Sequence, residues 1–319
     1  MAIEAAKWGI LYCPKAGITN RRKRWEKIQK VLDENQVAYD FVQSETSDSV
    51  ERLMKMMISN GYKTIIIVGG DSALNDAVNC LMNVEKHVRD RVALGVIPNG
   101  VMNDFAAYWG LGYDDVEKSV RSIKQRRLRR IDVGRLGYKA KDGETMSRYF
   151  LNCVNVGLLA SIQKLRQDTR RMLWSRRVSF AVSLMFTLFQ RMTYKMKYSL
   201  NETSEVHHVT TLCVGSAHGY GQTPNATPYN GLLDVTVVRS TLLMQHIEAI
   251  VLFLRGRLLN HKRVLPYRTR NMTLISDRRM PVSVDGHALE VQPKTMTVMI
   301  EPEEIKFIME EDDKGKKIS

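Results

Sequence analysis

The segment from Thr64 to Asp76 constrains the fold of this chain most. Thr64-Ile65-Ile66-Ile67-Val68 is an unbroken β-type run, Gly69-Gly70-Asp71 follows, and a helical pattern begins with apolar positions at Leu74, Ala77, Val78, Leu81 and Met82. A strand that is apolar at every position is buried on both faces, as in a parallel sheet covered by helices. Two adjacent residues without Cβ let backbone N–H groups approach an anion, and the helix N-terminus directs its partial positive charge to the same point. The segment therefore reads as a phosphate site. Asp71 is placed either to hold a cation there or to cap its own helix.

The rest of the first 130 residues repeats the alternation. Strands are expected over 8–13, 37–43 and 92–97 and helices over 19–35 and 47–60, with Asn103 as the N-cap of a short further helix. Strands separated by helices predict a doubly wound α/β domain over residues 1–130. Pro14-Lys15-Ala16-Gly17 after the first strand and Pro98 to Phe105 after the fourth bring further loops to strand ends, where such sheets bind ligands. Lys15 reads as a nucleotide contact or as part of an ordinary surface turn.

Beyond the basic run Arg126 to Arg130, strand patterns dominate: 149–156, 193–199, 209–215, 232–238, 271–276, 281–284 and 295–300. Helices are expected over 161–190 and 242–259. Residues 131–300 thus read as a mostly β sandwich-like domain, and 301–319 as a charged C-terminal segment whose last eight residues are expected to be disordered.

The chain carries 48 Lys and Arg against 34 Asp and Glu, a net charge of +14. Such a field concentrates anions of any kind, whether polyphosphate, nucleic acid or an anionic membrane surface. Cys13, Cys80, Cys153 and Cys213 lack the spacing of a metal or redox pair and read as reduced structural residues of a cytoplasmic protein. The start of the chain has no secretory pattern. The apolar run 178–189 is too short for a bilayer, which needs about 20 residues. Arg166, Arg170, Arg171, Trp174, Arg176 and Arg177 precede it, an arrangement suited either to an anionic interface or to a core helix with a solvated start.

These motifs resemble the diacylglycerol kinase-like lipid kinases, a family that includes sphingosine and ceramide kinases. Gly69-Gly70-Asp71-Ser72-Ala73-Leu74-Asn75-Asp76 is similar to the family's G-G-D-G-T followed by L-N-E, and Pro98 to Phe105 to its P-x-G-T-x-N-D-F. Phe150-Leu151-Asn152 with Gly157, Pro224-Asn225-Ala226 with Asn230 to Asp234, and Pro281 to Gly286 resemble three further segments in the family's order. NAD kinases and phosphofructokinases share the first loop; the second loop and the segment ending at Asp234 favour the lipid branch.

The resemblance implies a nucleotide-binding α/β domain, a β-sandwich on the lipid side, and transfer of the γ-phosphoryl group of ATP, with Mg2+, to a lipid alcohol of the diacylglycerol or sphingoid/ceramide type. It implies ATP contacts from Gly69, Gly70, Ser72, Asn75, Gly100, Asn103 and Lys15, metal ligands Asp71 and Asp285, and catalytic roles for Asp71, Asp285 and His287. A peripheral membrane enzyme follows, with no nucleic-acid partner. The chain departs from the family at Ser72 and Ala73 (for glycine and threonine), at Val101 (for threonine) and at His287 (for a carboxylate). Those departures leave a second reading, a lipid- or nucleotide-binding member with impaired catalysis.

Overall fold

The computed structural model describes residues 7–14, 21–45, 48–100, 103–140, 143–162, 193–240 and 243–309. Lys15, Val101, the Arg166 to Phe189 region and the last eight residues lie outside these. The chain divides into two units, Met1–Ile131 with Glu303–Ser319, and Asp132–Pro302.

The first unit is an α/β fold. Strands β1 (Trp8–Tyr12), β2 (Tyr39–Gln43), β3 (Thr64–Gly69) and β4 (Ala93–Pro98) lie parallel in the order β2-β1-β3-β4. Between and after them come α1 (Arg21–Glu34), α2 (Asp48–Ser59), α3 (Asp71–Met82), α4 (Lys86–Arg89), α5 (Asp104–Tyr108) and α6 (Val116–Gln125). All six residues of β3 and of β4 are buried, as their unbroken apolar sequences predict. Ile10, Ile66, Val68 and Ile97 meet Ile28, Leu32, Val120 and Ile123 from α1 and α6 in one core.

The second unit is built of antiparallel pairs. Its strands are β5 (Arg127–Lys139, which begins in the first unit), β6 (Thr145–Phe150), β7 (Cys153–Gly157), β8 (Tyr194–Leu200), β9 (Thr203–Gly215), β10 (Leu233–Arg239), β11 (Val264–Thr269), β12 (Asn271–Ser276), β13 (Val282–Val284) and β14 (His287–Ala288). They are joined by the first part of β15 (Thr295–Met309), and the helix α7 (Leu243–Leu254) lies between β10 and β11. Tyr198, Leu212, Val214, Val235, Leu274 and Val298 share its core.

Three of the differences from the sequence reading bear on the architecture. The strand expected over 149–156 is two strands, broken at Leu151-Asn152, where Asp285 draws the backbone amides to itself. β11 carries Pro266 in its middle and pairs, among the described residues, only with β10, the edge position that proline requires. The last strand runs past Ile300 to Met309: Ile305 and Phe307 are buried while Glu304 before them and Lys306 between them are only partly covered, so a short two-residue period lies inside a charge-rich stretch.

Candidate active site

The first unit forms its crevice where the connections diverge. The chain leaves β1 to one side for β2 and reaches β3 on the other, so the carboxyl ends of β1 and β3 flank a topological switch point, the usual place for a ligand in such sheets. Backbone bonds knit the ends together: Cys13 N donates to Val68 O at 2.9 Å and Asn99 N to Gly69 O at 2.8 Å.

Gly69 has no room for a side chain, because a Cβ there would lie 2.8 Å from the Cβ of Ala73. Gly70 is the extended N-cap of α3, and no side chain caps that helix. Asp71 is the first residue of that helix. Its carboxylate reaches across to α5, Oδ2 accepting from Asp104 N at 2.9 Å and Oδ1 from Phe105 N at 3.2 Å. One buried carboxylate thus fastens the glycine loop to the second loop and satisfies the first amides of α5.

Asn103 occupies the N-cap position of α5 without capping it. Its side chain instead closes the loop, Oδ1 accepting from Gly100 N at 2.9 Å and Nδ2 donating to Gly100 O at 3.0 Å. The Gly100 amide, expected to face a phosphate, is engaged within the loop. Ser72 is exposed; Asn75 is fully buried and accepts from Asn79 Nδ2 on its own helix.

Arg24 escaped the sequence reading because a basic residue on a basic helix reads as solvated. It is 5% exposed, donates through Nη2 to Pro98 O at 2.8 Å and Tyr113 O at 2.6 Å, and its guanidinium lies 4.1 Å from the centre of the Tyr113 ring. Its Nε donates to Asn99 Oδ1 at 3.3 Å. Burial lowers its pKa without removing its charge. The loop after β4 is thereby held by α1 and α3 together.

In the second unit, Asp285 has the same employment as Asp71. Its Oδ2 accepts from Leu151 N at 2.7 Å and its Oδ1 from Asn152 N at 2.9 Å and Cys153 N at 2.8 Å. Two motifs far apart in sequence are thus direct partners. Asp132, absent from the sequence reading, does likewise, accepting from Gly231 N at 2.7 Å at the start of the Gly231 to Asp234 segment. Asp234 faces Arg268 in a bidentate pair at 2.6 and 3.3 Å.

His287 is partly buried, and Arg148 Nη2 lies 3.2 Å from its Nδ1. A guanidinium has only donors, so Nδ1 is the acceptor and the ring proton sits on Nε2. Burial, helped by the Arg148 charge, pushes the His287 pKa down to about 4. The imidazole is neutral at pH 7. No three His, Cys, Asp or Glu side chains gather into a metal cluster among the described residues.

Comparison with known proteins agrees with this architecture. Residues 7–136 match the diacylglycerol kinase catalytic domain, and residues 152–309 match the YegS C-terminal NAD kinase beta sandwich-like domain. A protein of Bacillus subtilis (strain 168), provisionally named lipid kinase YtlR, is 23% identical over 94% of this chain and 99% of its own. The diacylglycerol kinase of the same organism is 23% identical over 70% of this chain and 71% of its own. A crystal structure from Bacillus anthracis str. Sterne, provisionally described as a diacylglycerol kinase, superimposes with a TM-score of 0.70 at 19% identity, covering 97% of this chain and 98% of the other. An α/β catalytic domain followed by a β-sandwich of this type defines a class of lipid kinases. The chain belongs to that diacylglycerol kinase-like family.

Proposed function

We propose that this protein transfers the γ-phosphoryl group of ATP to the hydroxyl of a lipid alcohol, of the diacylglycerol or sphingoid/ceramide type, while bound peripherally to an anionic membrane surface from the cytoplasm. The observation that carries the reading is the bridge from Asp71 to Asp104 and Phe105. It keeps two phosphate-type loops in fixed register at a topological switch point.

Phosphoryl transfer depends on neutralising and aligning the phosphates more than on covalent help from the protein. In this reading, the α3 N-terminus with Gly69 and Gly70 receives the phosphates, Arg24 and Asn99 fix the loop against which the nucleotide lies, and Asn103 holds that loop closed. The residues suit a magnesium ion that arrives on the nucleotide. Magnesium commonly takes one or two carboxylates and completes its shell with phosphate oxygens and water, and Asp71 supplies the carboxylate. Once bound, it would neutralise charge on the transferred group. Backbone amides occupy acceptor positions on both carboxylates, at least two on Asp71 and at least three on Asp285. Asp285 therefore acts chiefly by framing Leu151 to Cys153. His287, with Nδ1 engaged and a depressed pKa, is a poor general base, which suits a reaction that needs little base assistance.

The test is phosphorylation by purified protein of detergent micelles carrying diacylglycerol, ceramide or sphingosine, with labelled ATP and magnesium. Asp71→Asn turns one amide donor toward the Asp104 and Phe105 amides, so labelled lipid should fall at least 100-fold and stability by about 1–3 kcal/mol. Nucleotide binding without labelled lipid on the whole panel would replace this reading with the impaired-catalysis one.

A further inference from the structure

One cavity of the second unit is lined mainly by basic residues. It encloses about 400 Å3 and is lined by Lys195 on β8, Val206, His207 and His208 on β9, Arg239 and Ser240 at the end of β10, and Arg263 before β11. Strand register brings these groups together. Lys195 stands opposite His208, Ser240 N donates to His208 O at 2.7 Å, and Arg239 N donates to Arg263 O at 2.9 Å.

The lining has three permanent cations, the His208 imidazole, a hydroxyl and no carboxylate, while the His207 ring faces the other way and is engaged by the Tyr198 hydroxyl at 2.8 Å and by Glu205 at 3.5 Å. Among the described residues, the Lys195 ammonium and the guanidiniums of Arg239 and Arg263 enter no ion pair and no hydrogen bond. Elsewhere in the same unit, arginines are engaged: Arg268 by Asp234 and Arg135 by Glu301. Clustered like charges repel unless an anion sits among them, and a concave wall focuses their field on that point.

A second feature adjoins the cavity. Val206, Lys197 and Ile275 form one cross-strand row over β9, β8 and β12. Side chains two apart on a strand share a face, so this row stands on the same face as Lys195 and His208. Val206 is 53% exposed and Ile275 45% exposed. An anion pocket beside exposed aliphatic side chains separated by a lysine matches the boundary between phospholipid headgroups and acyl chains, where lysine extends its ammonium toward the phosphates.

We propose that this face docks on a bilayer and that the cavity seats the phosphate of an anionic phospholipid. The site rests on its charges; the choice of a bilayer over a soluble phosphate rests on the lipid-kinase reading. The experiment is co-sedimentation of the full chain with phosphatidylglycerol/phosphatidylcholine vesicles and with phosphatidylcholine vesicles alone. Wild type is compared with the Lys195→Gln/Arg239→Gln/Arg263→Gln variant and with a charge-matched control, Lys27→Gln/Lys30→Gln/Lys55→Gln.

Three basic residues at an anionic surface predict a loss of roughly 100-fold in affinity for the phosphatidylglycerol vesicles in the first variant and a much smaller loss in the control. Val206→Ser/Ile275→Ser should weaken vesicle binding with no loss of charge. Equal loss in the charge-matched control, unchanged binding in the first variant, or no vesicle binding by wild type would overturn the proposal. So would inorganic phosphate binding at the cavity without vesicle binding, which would make the ligand a free phosphate. The unfolding midpoint of the cavity variant should equal that of wild type, since its side chains hold nothing in the fold. Lipid phosphorylation in neutral detergent micelles is read in parallel, so an inactive wild type that still binds vesicles through these residues would sink only the kinase reading.

Discussion

At the scale of single residues, the carboxylates of the motifs serve the backbone. Asp71, Asp132 and Asp285 are buried, and each accepts backbone amides from a segment distant in sequence. Such charge-assisted bonds are stronger than neutral ones and leave the amides of a loop fixed in direction. The sequence makes the identity of Asp71 and Asp285 legible but not their partners, because a carboxylate after a glycine pair suits a metal, a helix cap or a distant amide equally. His287 shows the converse. Its neutral state follows from burial and from the Arg148 charge, and nothing near position 287 announces a residue on β6. The fold favours the neutral imidazole, so its contribution to stability is complete above the ordinary value of 6.5 and is lost as pH falls toward about 4. His287→Gln, which keeps an acceptor for Arg148 and cannot be protonated, should remove that part of the acid sensitivity. The difference between wild-type and variant unfolding free energies, followed by denaturant titration from neutral pH downward, should reach on the order of 2 kcal/mol by the lower end. A difference independent of pH would show that the ring titrates normally.

At the scale of elements, the glycine loop works because α3 packs close behind it. The missing Cβ at Gly69 is matched by the Cβ of Ala73, one turn into the helix. Gly69→Ala would place two Cβ atoms 2.8 Å apart, and backbone atoms must move to relieve the contact. Overpacking of this kind costs about 1–3 kcal/mol. Ala73→Gly alone should cost close to 1 kcal/mol through helix propensity. The two together should be less damaging than their sum, because the second removes the atom the first collides with. A double-mutant cycle by chemical denaturation reads the coupling directly, and strict additivity would mean that the loop escapes sideways instead. Local patterning made the strand, loop and helix of this unit legible, since each follows from periods of two and 3.6. The loop's other supports were not legible. Arg24 on α1 and the amide donors on α5 become neighbours only when β1, β3 and β4 are side by side, so their role is a product of strand order.

At the scale of the whole molecule, the chain begins in the first unit, builds the second and returns to the first for its last strand. That return is structural as well as topological. Lys306 and Phe307 of β15 pair in parallel with Ala93 and Leu94 of β4, and Glu304 is held by Arg89 and Lys86. The Phe307 ring packs edge-on against Phe105 at 5.1 Å and stacks on Trp109 at 6.2 Å. Phe105 is the residue whose amide Asp71 accepts, so the end of the chain supports the loop at the candidate nucleotide site from behind. The sequence concealed this because the segment from Glu301 is dominated by charge, and its alternation of Ile305 and Phe307 is only two positions long. Phe307→Ala should cost about 3–5 kcal/mol, as for other buried aromatic truncations. The loss should be local to the first unit. Hydrogen exchange should accelerate at residues 93–98 and 104–108 and stay at wild-type rates in the β9 segment from Val209 to Val214, with ATP affinity falling in step with the first change. Faster exchange spread evenly over β9 as well would show that the two units unfold as one, and that the final strand stabilises the entire chain.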